Sequence, residues 1–387
     1  MRICLVYDCL YPHTIGGAER WYRMLGERLA ADGHAVTYLT LRQWARGTDA
    51  SYDGVRVVEA GPRMPLYDDA GKRRIAPPLV FGAGVLWHLL RHPRSYDVLH
   101  TASFPYFSLL AIALTRPIHR CHVVVDWHEL WTREYWEEYL GRAGGRVGWL
   151  VQLACARVRQ HAFCFSRLHE RRLREERLNG PVTVLEGEYS EAAEPPDPVP
   201  PAEPLVVFAG RHIPEKRAAA LVPAMKLLHE RRPDLRCEVY GDGPARPEVL
   251  RAIEELGMGD VVSAPGFVDR EVIDSALRRA LCLVLPSRRE GYGLVVVESS
   301  ARGTPAVVVQ DPDNAATELV DEGENGFVAA SAAPGPLAEA IERVADGGQE
   351  LRERTAGWYR RNARRLSIDG SLDRVAESYR FSRSARS

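Results

Sequence analysis

At 387 residues the chain exceeds one ordinary hydrophobic core and sets an expectation of two domains. Its 45% hydrophobic and 27% charged content is that of a globular protein, and a formal charge of -1 lacks the basic excess of a nucleic-acid binder. No apolar run approaches the ~18 residues that span a bilayer. The longest, Pro77–Leu90 and Phe107–Leu114, are expected to be buried core. One arginine, a brief apolar stretch and then Asp8 make a poor signal peptide, so a cytoplasmic location is expected. The seven cysteines are scattered without a Cys-x-x-Cys pair, which suggests neither a zinc site nor a disulfide framework. Among 51 basic residues, lysine occurs only at Lys72, Lys216 and Lys226.

Arg2–Tyr7 is a short apolar run of strand formers, followed by the turn Gly16-Gly17. Ala18–Ala31 then shows helical spacing through Trp21, Leu25 and Leu29, and Ala35–Thr40 reads as a second strand. Strand, glycine turn, helix, strand is a βαβ unit and implies a parallel sheet. The rhythm continues with strands at Val98–His100, Val123–Asp126, Ala162–Ser166 and Val182–Leu185. Between Ser190 and Pro204 proline and acid replace hydrophobic periodicity, which marks an extended linker.

Past the linker the alternation restarts. Strands are predicted at Leu205–Ala209, Arg236–Tyr240, Val261–Ala264, Leu281–Leu285 and Ala306–Val309, with helices at Arg217–Glu230, Arg246–Leu256 and Arg270–Arg279. Two βα-rich halves joined by a proline linker predict a two-lobed α/β protein with a cleft between the lobes. The charged stretch Glu350–Arg380 is helical in pattern and is expected to be a solvated surface helix.

The richest constellation is Pro286–Pro305, in which Glu290 and Glu298 lie eight residues apart around Gly291 and Gly293. Glycines let backbone approach a ligand, and a helix N-terminus beyond them would offer N–H groups to an anion. The two carboxylates would accept hydrogen bonds from sugar hydroxyls on either side of a phosphate. On propensity alone Leu294–Val297 is a strand, so the alternative to a ligand site is a buried strand flanked by surface acids.

These residues resemble the retaining family 4 glycosyltransferases of GT-B fold, whose signature runs glutamate, Gly-aromatic-Gly, apolar run, glutamate, Gly-x-Pro. Here Glu290, Gly291-Tyr292-Gly293, Leu294–Val297, Glu298 and Gly303-Thr304-Pro305 stand in that order, preceded by Pro286-Ser287. Tyr292, in place of a commoner phenylalanine, and Ser299-Ser300 are departures. In that family the segment after the glycines is helical. Upstream and in register, FAGRHIPEK places Arg211 and Lys216 where the family clamps a nucleoside diphosphate. A leaving diphosphate gains negative charge in the transition state, so two fixed cations stabilise it. VYGDGP at Val239–Pro244 and PGFV at Pro265–Val268 match two further donor-domain turns.

The resemblance implies two Rossmann-like domains, residues 1–192 for the acceptor and 203–367 for the donor, with a closing helix at about 368–387 packed back on the first. It places Gly16, Gly17, Arg211, Lys216, Gly241, Phe267, Glu290, Gly291, Tyr292, Gly293, Leu294 and Glu298 at the donor. Glu298 would take the ribose hydroxyls and Glu290 those of the sugar. Gly16-Gly17-Ala18-Glu19 resembles the family's glycine loop, and VVVDWHELW its strand ending in a His-acid pair. On that match His128 acts at the donor sugar, with Asp126 the competing assignment, while Glu19 and His100 face the acceptor. Glu186-Gly187 departs from the family's Asn-Gly. The implied reaction moves a sugar from a UDP- or GDP-linked donor to a hydroxyl of a glycan, glycolipid or secondary metabolite. Glu290, His128, Arg211 and Lys216 are the catalytic set, and neither metal nor other cofactor is required.

Nine arginines between Arg142 and Arg177, against Glu170, Glu175 and Glu176, form either a solvated helix face or a peripheral contact with an anionic membrane. Arg63, Lys72, Arg73 and Arg74 form a second basic cluster. A nucleotide-sugar epimerase of related fold and an inactive partner subunit are the rival readings. The first lacks its acid and histidine pattern here, and the second should have lost the cations or glutamates. A dinucleotide oxidoreductase is disfavoured because no Gly-x-Gly-x-x-Gly follows a first strand.

Overall fold

The structure is a computed structural model that describes residues 1–14, 16–66, 73–190 and 195–384, with side chains to residue 380. The chain divides into two compact units, Met1–Glu186 with Asp369–Ser387, and Gly187–Ile368. The break falls at Glu186, earlier than the 192 expected.

In the first unit, β1 (Arg2–Val6), β2 (Ala35–Thr40), β3 (Val55–Glu59), β4 (Val98–Ala102), β5 (His122–Trp127), β6 (His161–Cys164) and β7 (Val182–Val184) form one parallel sheet. Their order is β3-β2-β1-β4-β5-β6-β7. Its helices are α1 (Gly17–Ala31), α2 (Ala76–Arg91), α3 (Tyr106–Thr115), α4 (Arg133–Ala156) and α5 (Arg167–Glu175). β4 is buried at every position, as expected for strands covered by helices on both faces. α1 turns Trp21, Tyr22, Leu25 and Leu29 inward at helical spacing. The strand β3 was not legible, because Val55–Glu59 is only partly buried and short.

In the second unit, β8 (Leu205–Ala209), β9 (Arg236–Tyr240), β10 (Val262–Gly266), β11 (Cys282–Leu285), β13 (Ala306–Val309) and β15 (Gly326–Ala329) form a parallel sheet of order β10-β9-β8-β11-β13-β15. A separate two-residue ladder joins β12 (Arg289–Glu290) to β14 (Asp313–Asn314). The helices are α6 (Leu221–His229), α7 (Arg246–Glu255), α8 (Arg270–Arg279), α9 (Leu294–Ser300) and α10 (Pro334–Leu366). α11 (Ile368–Ser384) follows α10 and groups with the first unit from Asp369 onward. Each sheet repeats the order 3-2-1-4-5-6, whose chain reversal lies between its first and fourth strands.

Several expectations are corrected. Leu294–Val297 is helical, as family context and not propensity implied. Gly293, at φ +103, turns the chain into α9, and Val296 and Val297 pack fully buried. Pro77–Leu90 is only half core: α2 buries Phe81, Val85 and Leu89 but exposes Leu79, Trp87 and Leu90. Phe107–Leu114 likewise exposes Leu114. The helix expected at Arg217–Glu230 begins at Leu221, after two 3-10 turns that Arg217 joins in a left-handed conformation.

Glu350–Arg380 is not a solvated helix. It spans the end of α10 and most of α11, where Leu351, Trp358, Tyr359, Leu372, Val375 and Tyr379 are buried. Arg352 of α10 is 2% exposed and donates to the carbonyls of Pro200, Arg278 and Ala280. Burial brings its pKa down to about 10. Through this residue and Gln349, whose Nε2 donates to Val199 O, the described part of the linker is fastened to the second unit. All seven cysteines are free and buried.

Candidate functional site

In the second unit the site grows from the C-terminal ends of β8 and β11, neighbours in the sheet. β8 runs through Gly210 into a 3-10 turn, Pro214–Lys216, and the Arg288 N–H donates to Glu215 O at 2.8 Å. That bond ties the loop after β8 to the loop after β11. It sets Lys216 Nζ to donate to Glu290 Oε1, which also accepts from Ser287 Oγ at 2.9 Å. The Glu290 side chain is 9% exposed and Lys216 20%. Asn314 closes the floor, its amide donating to Ser287 O and Val309 O. Lys216 and Glu290 are thus brought together, with Ser287 as a partner that the sequence offered only as part of the Pro286-Ser287 match ahead of Glu290.

The other donor candidates of this unit lie on the loops after β8, β9, β10 and β11 and on α9. Arg211 is exposed at the end of β8, and Phe267 is 81% exposed after β10. Gly241 sits at φ +119 after β9, where an added Cβ would lie 1.9 Å from Gly210 O. No side chain fits that crossing of two chains. Tyr292 is buried, while Gly291 and Leu294 are half-buried. Glu298, one turn into α9, is half-buried with its carboxylate 3.8 Å from Arg270 Nη2.

In the first unit Gly16 precedes α1 in extended conformation, Gly17 opens the helix, and Glu19 is buried in its first turn. His128 follows β5 and stacks on Phe165, ring centroids 4.6 Å apart at 7°. Burial lowers its basicity, while Asp126 and Glu129 pull it back up. Asp126 is fully buried. Burial disfavours its charge, but His100, His128 and the Trp21 N–H outweigh this and hold its pKa below the ordinary carboxylate range.

His100, expected at the acceptor, lies inside the first unit. It is 0% exposed, with Nε2 at 2.8 Å from Asp126 Oδ1 and Nδ1 at the Tyr379 hydroxyl. Arg73 pairs with the buried Asp8 and is no free surface base, and Lys72 lies outside the described residues. Of the arginines from 142 to 177, Arg174 pairs with Glu170, Arg146 with Glu137 and Arg167 with Glu186. Among the described residues no group of three acids, histidines or cysteines has the geometry of a metal site. None of their helices is long and apolar enough to cross a membrane.

Two parallel sheets of this order, each followed at its reversal point by such loops, define a GT-B fold. The fold is shared by sucrose-phosphate synthase from Thermosynechococcus elongatus, at TM-score 0.80 and 20% identity over 99% of both chains. It is also shared by Anabaena HepE in complex with UDP, at TM-score 0.73 and 19% identity over 98% of this chain and 99% of that one. The family profile for glycosyl transferases group 1 matches residues 191–361, and that for glycosyltransferase family 4 matches residues 15–186. The chain belongs to the family 4, group 1 glycosyltransferases.

Among curated relatives, the alpha-D-kanosaminyltransferase of Streptomyces kanamyceticus is 33% identical over 178 residues, 46% of this chain and 45% of its own length. The D-inositol 3-phosphate glycosyltransferase of Thermomonospora curvata is 34% identical over 184 residues, 45% of this chain and 42% of its own. Each match spans less than half of the relative's length.

Proposed function

We propose that the chain transfers a sugar from a nucleoside diphosphate sugar to a hydroxyl acceptor, with retention at the anomeric carbon and without a metal ion. The observation that carries this is the Lys216–Glu290–Ser287 cluster at the adjoining ends of β8 and β11. Lys216, joined by the exposed Arg211, neutralises the leaving diphosphate as the glycosidic bond breaks. Glu290 receives hydroxyls of the donor sugar, and Glu298 those of the ribose. HepE, solved with UDP and with UDP-glucose, supports a uridine nucleotide as the first donor to test.

The test is product NMR with UDP- and GDP-sugars, in buffer containing EDTA. Retained configuration and undiminished turnover are expected. An inverted product refutes the retaining reading, and loss of activity restored by a divalent cation refutes the metal-free one.

A further inference from the structure

Behind His128 lies a buried polar chain that the transfer reaction as described does not use. Asp126 Oδ2 accepts from the indole N–H of Trp21 at 2.7 Å, and its Oδ1 lies 2.8 Å from His100 Nε2. His100 Nδ1 meets the hydroxyl of Tyr379, which is itself 0% exposed. With Tyr379 donating to Nδ1, the ring proton sits on Nε2, the nitrogen nearest Asp126 Oδ1, so the tyrosine selects the tautomer that turns an N–H toward the carboxylate. The four residues come from α1, β4, β5 and α11. Aromatic contacts extend the assembly: Tyr22 packs edge-on to both His100 and His128, and Trp21 edge-on to Phe165, the ring on which His128 stacks.

A fully buried carboxylate is an expensive way to fill a core, since apolar residues of similar volume often serve stability as well or better. Its retention here calls for a role that packing does not explain. Its neighbours lead to the two parts of the first unit that the sequence assigns to the reaction. One is Trp21, two residues beyond Glu19 in the helix that Gly16 and Gly17 open. The other is His128, which follows β5 and stacks on Phe165, the ring that Trp21 meets edge-on.

We propose that Asp126 is a positioning residue for sugar transfer, oriented by Tyr379 through His100, that holds His128 and the first turns of α1 in their working arrangement. This rests on the transfer reading above, and adds that α11, the last helix of the chain, is part of that arrangement. The groups that bear on His128 are Asp126 and Glu129 on its own segment, His100 on β4 and Tyr22 on α1, while Tyr379 on α11 acts one step back, on His100. Burial pushes both tyrosines well above their usual range, so they stay neutral. Asp126 is the largest influence that raises the basicity of His128 against its burial.

The test uses the full chain with Asp126→Asn and Tyr379→Phe, read in three ways. Histidine-resolved NMR titration should show the His128 midpoint moving to lower pH in Asp126→Asn, because a negative neighbour is gone. The acid limb of kcat should move the same way, and kcat should fall about tenfold or more. Tyr379→Phe removes one hydroxyl and should shift the titration and the rate in the same direction, less far, with Tm near wild type.

An unchanged His128 midpoint and kcat in folded Asp126→Asn overturns the proposal. If that variant does not fold, Tyr379→Phe decides by the same readouts, and wild-type behaviour there overturns it. Should the wild type transfer no sugar, the transfer reading fails on that ground, while the His128 titration still reports on the network alone.

Discussion

Glu290→Gln separates the roles of the donor cluster because it should move binding and turnover in opposite directions. In the structure Glu290 Oε1 holds Lys216 Nζ and Ser287 Oγ, so a diphosphate arriving at Lys216 must compete with a carboxylate already there. Glutamine keeps an acceptor for the serine and removes the charge. A hydrogen bond to a charged partner is worth about 1.5–3 kcal/mol. Lys216 is 20% exposed, so screening leaves a net competition of roughly 1 kcal/mol. Free UDP should therefore bind about fivefold more tightly to Glu290→Gln than to the wild type.

Turnover should move the other way. If Glu290 receives sugar hydroxyls as the bond breaks, loss of the charge removes about 1.5–3 kcal/mol of stabilisation, and kcat falls about 10- to 100-fold. Isothermal calorimetry with UDP and initial rates under saturating donor measure the two effects, with ligand-free Tm as the fold control. UDP binding weakened tenfold or more would refute the competition argument, and an unchanged kcat would remove Glu290 from the reacting centre.

Glu298→Gln should instead weaken UDP and the whole donor alike, by about 10- to 100-fold in calorimetry, because ribose hydroxyls lose a charged acceptor. Its 3.8 Å pair with half-exposed Arg270 adds little stability, so Tm should stay near wild type. Arg352→Met keeps the apolar stem but strands the carbonyls of Pro200, Arg278 and Ala280; urea denaturation should show a loss of about 1–3 kcal/mol. Burial raises the Glu176 carboxyl from 4.5 to about 7, though Gln152 donates to it. The stability held by its protonated form is present below the unfolded pKa and is lost as pH rises through the folded value near 7. Glu176→Gln should therefore stabilise the protein by about 1–2 kcal/mol at pH 8 and leave it unchanged at pH 4, in parallel denaturation series.

The strands were legible where parallel sheets bury both faces. Leu205–Ala209, Arg236–Tyr240 and Ala306–Val309 read as strands from their apolar runs and are strands with those bounds. Leu294–Val297 carries the same residue types and is a helix, because the backbone turn at Gly293 and the packing of Val296 and Val297 outweigh what valine prefers alone. The pairs within the two candidate sites had no local signal. Lys216 and Glu290 are 74 residues apart, Trp21 and Asp126 are 105, and His100 and Tyr379 are 279.

Strand order supplies what spacing does not. In each sheet the first and fourth strands lie side by side, so the segments that follow them must begin as neighbours. In the second unit these are the loop carrying Lys216 after β8 and the loop carrying Glu290 after β11, and the Arg288 N–H to Glu215 O and Lys216 to Glu290 bonds join them. In the first unit they are the Gly16-Gly17 turn after β1 and the end of β4, whose His100 reaches across to Asp126 on the next strand. A lysine and a glutamate far apart in sequence therefore meet for a topological reason, and swapping residues within either loop should disturb the chemistry well before it disturbs the sheet.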